Sequence, residues 1–113
     1  MAVVETAGDG RYGSWVTLRE RTGAPNQPDN IALLAIEFVP NRRGYFSVSV
    51  GHGDPGWEQE VAVTHSPKCR ANTVASVLLP VAIRTDGRIA VRASSHQRRN
   101  RNAVLAVSAE FVT

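Results

Sequence analysis

The sequence predicts an all-β protein: an antiparallel two-sheet β-sandwich or jelly roll of seven to eight strands, entered by an extended N-terminal arm. Three observations carry that expectation. Short runs of alternating apolar and polar residues recur at intervals of about ten residues, as they do where each strand turns one face to a core. The connections between the runs are dense in Gly, Pro, Asn and Asp, the residues whose backbones or side chains make turns. No stretch holds a convincing helical period, and 113 residues make one domain with a single modest core.

Residues 1–13 carry Gly8, Gly10 and Gly13 without any period. They are expected to form an arm that ties one subunit to another, leaving residues 14–113 as the sandwich. Residues 14–20 alternate, with Val16 and Leu18 on one face and Trp15, Thr17 and Arg19 on the other. Pro25 and Pro28 exclude a regular ladder through residues 22–30, which form a surface loop. In residues 31–38 Ala and Leu favour helix, but the short length and the following Val39-Pro40 favour a buried strand. Asn41-Arg42-Arg43-Gly44 makes a basic turn, after which Phe46, Val48 and Val50 point inward and Ser47 and Ser49 outward. Residues 51–56 are a loop, 57–63 a strand with a polar start, and 66–73 a polar connection. Asp86-Gly87 separates two apolar runs, a pattern that predicts a hairpin of two strands paired with each other over residues 78–94. A polar, basic tip at residues 96–102 leads into a closing strand over 103–111.

Composition narrows the chemistry. No apolar run approaches the roughly 20 residues of a membrane helix, and no basic-then-apolar leader begins the chain, so it is expected to be made and used without secretion. Cys69 stands alone; it offers neither a disulfide framework nor a metal-binding Cys pair, and is expected as a small buried hydrophobe. His52, Asp54, Glu58, Glu60 and His65 are residue types that suit zinc, manganese or iron, but their spacing matches no strong ligand signature and a turn tip explains His52 and Asp54. Glu58 and Glu60 share one face of a strand, where a solvated pair is the simpler reading than acid–base catalysis. There is no Gly-x-Ser-x-Gly elbow, phosphate-cradling Gly-Lys loop or Cys-His couple. The expectation is a non-enzymatic protein with no catalytic residues, no metal and no cofactor.

Binding surfaces remain. Formal charge is only +3, yet every cation except Lys68 is an arginine, the residue of planar bidentate contacts. Arg42, Arg43, Arg98, Arg99 and Arg101, with Trp57, are the candidates for a protein interface. The low net charge and the lack of aromatic interleaving argue against nucleic acid as the partner. Trp57, Tyr45 and Trp15 are the alternative, a set of flat rings on which a sugar stacks.

The order of several segments adds a resemblance. Gly13-Ser14-Trp15-Val16-Thr17-Leu18, Phe46-Ser47-Val48-Ser49-Val50-Gly51, Trp57-Glu58-Gln59-Glu60-Val61, Leu79-Pro80-Val81-Ala82-Ile83 and Gly87-Arg88-Ile89-Ala90-Val91-Arg92-Ala93 follow one another as in a β-sandwich module of tailed-bacteriophage structural proteins, which this chain resembles over most of residues 13–94. The loop at Gly51 to Gly56 and the basic tip at Arg98 to Arg101 depart from that pattern. The resemblance implies a virion protein made in the host cytoplasm. It implies a capsid decoration or cement protein that stabilises the assembled shell, with the major capsid protein or other virion proteins as partners and a homo-oligomer, a trimer by preference. A fibre or spike component and a carbohydrate-binding module are the alternatives.

Overall fold

The computed structural model describes residues 1–7, 10–20, 30–83, 87–96 and 103–112. Its strands are β1 (Ala2–Glu5), β2 (Val16–Arg19), β3 (Asn30–Pro40), β4 (Phe46–His52), β5 (Gln59–His65), β6 (Ala75–Ile83), β7 (Ile89–Ser95) and β8 (Val104–Val112). They form two four-stranded sheets, ordered β1-β8-β3-β6 and β2-β7-β4-β5, with every strand pairing antiparallel. The pairings β1–β8, β2–β7, β3–β6 and β4–β5 are those of one long hairpin whose tip is β4–β5, rolled so that successive pairs fall in alternate sheets. That arrangement is a jelly roll, the second of the two architectures expected. Among the described residues no helix is long and apolar enough to cross a membrane.

Alternation decides which side of each strand is buried. Leu34, Ile36 and Phe38 of β3 face in while Leu33 and Glu37 face out, so period two wins over the helical propensity of Ala and Leu. Phe46, Val48 and Val50 of β4 meet Ile89, Val91 and Ala93 of β7 and Leu105 and Val107 of β8 in one core. Burying each large apolar side chain there contributes about 1.5–3 kcal/mol. Cys69 joins this core as a free thiol, as expected. Pro80 sits on β6, which pairs only with β3 and so lies at a sheet edge that tolerates a missing N–H.

Two expectations change. Residues 2–5, placed in the arm, form β1: Ala2 and Val4 are buried and Val3 and Glu5 exposed, and β1 pairs with β8 in the register Ala2↔Val107 to Glu5↔Val104. Four alternating residues before a glycine-rich stretch are too few to stand out as a period. The strands flanking Asp86-Gly87 do not pair with each other: β6 lies against β3 in the first sheet, and β7 lies between β2 and β4 in the second. Both edges of β7 are occupied, and the connection crosses from one sheet to the other. The true hairpin is β4–β5, closed by residues 53–58.

Candidate interaction surfaces

The outer face of the second sheet is polar in sequence and covered in the fold. Ser47, Ser49 and Ser94 point outward from β4 and β7 yet are buried, beside His65, His96 and Arg92; residues 10–15 continue along β7, where the Gly13 amide donates to the Ala93 carbonyl at 3.0 Å. From there the Trp15 ring reaches across to Gly51 on β4, where a methyl group would stand 2.7 Å from the indole. Arg92 lies under Trp15 and Tyr12, its guanidinium 4.4 and 4.6 Å from their ring centres, and pairs with Glu60 at 2.9 Å. Gly13 itself is required by close packing, since any side chain would collide with the Glu5 carbonyl. At the far side of this face the Ser47 hydroxyl bridges His65 Nδ1 at 2.6 Å and His96 Nε2 at 2.7 Å. Ser47 is only 1% exposed, and among the described residues no carboxylate bonds either imidazole to make a triad.

One end of the sandwich presents Trp57. The loop that carries it is braced by Arg88, a buried side chain that donates to Thr17 Oγ1 at 3.0 Å, to the Gly53 carbonyl at 3.1 Å and to Glu58 Oε1 at 3.1 Å. Desolvation pulls the Glu58 carboxyl upward in pKa. Hydrogen bonds from the Glu58 and Gly56 amides, with the bond and charge of Arg88, outweigh it and hold the pKa below the ordinary carboxylate value. On this rigid frame the Trp57 ring is 81% exposed. Glu58 and Glu60 each engage a different arginine, and among the described residues no three His, Cys, Asp or Glu side chains converge on one point.

Arg42 and Arg43 are exposed at the opposite end of β4 from Trp57, in the turn between β3 and β4. Tyr45, half exposed, follows them. The three rings considered as a sugar platform therefore occupy three places: Trp57 at one end, Tyr45 at the other, and Trp15 laid over Gly51. Arg98, Arg99 and Arg101 lie outside the described residues. The structure adds two cations the sequence reading passed over, Lys68 and Arg70, exposed on the connection that bridges to Gly44 through Cys69. Their signal was present in the sequence as a polar connection without a carboxylate, but nothing local says that it lies beside the Arg42-Arg43 turn.

The outer face of the first sheet is the reverse of the second. Leu33 of β3 stands between Pro80 of β6 and Val112 of β8, and the next row is Leu78, Ala35 and Glu110. Leu33, Leu78 and Val112 are 45%, 59% and 49% exposed. Glu37 and Glu110 are the charges exposed beside them. No protein-family model matches the chain, and no curated protein matches its sequence.

Proposed function

We propose that this chain is a non-enzymatic structural protein of a tailed-phage virion, a decoration protein that binds the assembled capsid and stabilises it. The observation that carries the reading is the ordered set of segments from Gly13 to Ala93. A jelly-roll architecture, common in capsid proteins but not exclusive to them, is compatible with it. The reading also gives a use to the rows around Leu33, Leu78 and Val112, since contiguous exposed apolar residues across three strands mark contact surface more often than free surface. A protein that binds only the assembled shell adds stability to it by mass action. Light scattering on the purified protein, then co-sedimentation with capsids, tests this. A trimer that pellets with particles is expected; a monomer that stays in the supernatant overturns the decoration role.

A second reading rests on Trp57. A tryptophan held almost fully in solvent by a braced loop suits stacking on a sugar ring. Under that reading the isolated protein binds a glycan array, and Trp57→Ala removes binding without unfolding the domain.

A further inference from the structure

We propose that the end of the sandwich built by the β3–β4 and β5–β6 connections is a binding site for the phosphate backbone of single-stranded nucleic acid. The site rests on the bridge between Gly44 and Cys69, two backbone bonds of 3.0 and 2.8 Å in antiparallel sense. Both bridged residues are buried, so their chain neighbours turn outward. The bridge brings Arg43 and Tyr45 of one connection close to Lys68 and Arg70 of the other, and all four are exposed. Cations gathered at one end of the molecule raise the local concentration of a polyanion. Arg42 extends the patch at the turn.

The frame under these cations is fixed. The Asn72 amide donates to the Pro40 carbonyl at 2.7 Å, with Asn72 in the left-handed region at φ 60°, and the His96 amide donates to the Tyr45 carbonyl at 2.9 Å. A groove of about 380 Å³ runs beside Lys68 and Arg70, with Thr73, Val74 and Ser76 along it. None of the ten carboxylates of the chain falls in residues 38–46 or 66–76. The net charge of +3 therefore averages a basic end with a nearly neutral remainder, and the low total gives no measure of the local field.

Nucleic acid fits this end better than an acidic protein because of Tyr45. An exposed ring set among cations provides the stacking surface that single-stranded bases use, while the cations meet phosphates. Both premises that argued against nucleic acid, low charge and absent aromatics, fail at this one place. The inference is independent of the virion reading, and particle co-sedimentation does not bear on it.

Fluorescence anisotropy with a labelled oligo-dT, titrated with the full chain from low to about 0.2 M salt, is the test. Three or four phosphate contacts give a slope of log K against log salt of about −2 to −3. The double variant Arg43→Gln/Arg70→Gln is expected to bind about tenfold or more weakly with a shallower slope. Tyr45→Ala is expected to weaken binding while keeping the slope, a split that general charge attraction does not produce. Matching circular dichroism shows that the variants are folded, and Lys68→Glu, a change at one exposed position, serves as the second charge variant. Absent binding at low salt overturns the proposal, as does binding that these changes leave untouched. Binding of labelled poly-glutamate but not of the oligonucleotide also overturns it, in favour of an acidic protein.

Discussion

On the second sheet the outward positions of β4 and β7 include Ser47, Ser49, Arg92 and Ser94; on the first, those of β3, β6 and β8 include Leu33, Leu78 and Val112. Side-chain polarity alone would leave the serines wet and cover the leucines. The chain does the opposite, laying the Tyr12 and Trp15 rings over the polar face and leaving the apolar one bare. The reason lies in what each face can bond. The serine hydroxyls bond His65, His96 and Arg92, and Arg92 pairs with Glu60, so a polar face can be sealed at little cost when its groups find partners. The leucine face offers a covering segment only contact area, and after the Thr6–Ala103 bonds that extend the β1–β8 ladder the chain bridges from Ala7 to Ser94 of the second sheet instead.

The contrast breaks most directly at its aromatic cover. Trp15→Ala strips the ring from Gly51 and Arg92 and is expected to cost about 3 kcal/mol in urea unfolding, near the range for removing a large packed aromatic. Gly51→Ala drives a methyl into the same ring and is expected to cost about 1–3 kcal/mol. In a Trp15→Ala background that second cost should fall to what the Gln59 carbonyl, 3.0 Å from the added methyl, still imposes, and an additive pair would show that the ring and residue 51 do not press on each other.

Acid sharpens the comparison at the sealed sheet's end. Because the folded Glu58 carboxyl has a lowered pKa, its contribution is fully present above the ordinary value of 4.5 and is lost as pH falls through the folded value. Glu58→Gln should therefore be less stable than the parent at neutral pH, with the gap closing as pH drops below about 4.5. A gap that stays constant to low pH removes charge from the account of the Arg88 brace.

The smallest effect is expected on the bare face. Leu33→Ser and Leu78→Ser should change the stability of the monomer by less than about 0.5 kcal/mol, as exposed positions do. If this face is what the oligomer covers, the same changes lower the solution mass by light scattering; an unchanged mass assigns the oligomer contact elsewhere.

Most strands were legible because alternation survives in short windows. Phe46-Ser47-Val48-Ser49-Val50 reads as a strand with one apolar side, and the structure places it so. Pairing was less legible. Asp86-Gly87 is a sound local signal for a turn, but whether its flanks pair depends on β2 and β4 taking both edges of β7, a fact written far from residue 86. For the same reason Arg42 and Arg43 were visible as candidates while Lys68 and Arg70 were not. Their proximity is created by the Gly44–Cys69 bridge. The brace at Arg88 likewise joins residues from β2, the β4–β5 loop and the start of β7, which no spacing rule connects.

The pairing of Ala2 through Glu5 with Val107 through Val104 carries a consequence for synthesis. β8 is the inner neighbour of both β1 and β3, so the first sheet has no continuous middle until β8 has left the ribosome. Before then β1 and β3 expose edges and apolar sides with nothing between them, a condition that invites pairing with other nascent chains. A topology dominated by such distant pairings folds slowly. Expression at lowered temperature, or with a holding chaperone, should raise the soluble yield of this chain more than that of a helical domain of the same length.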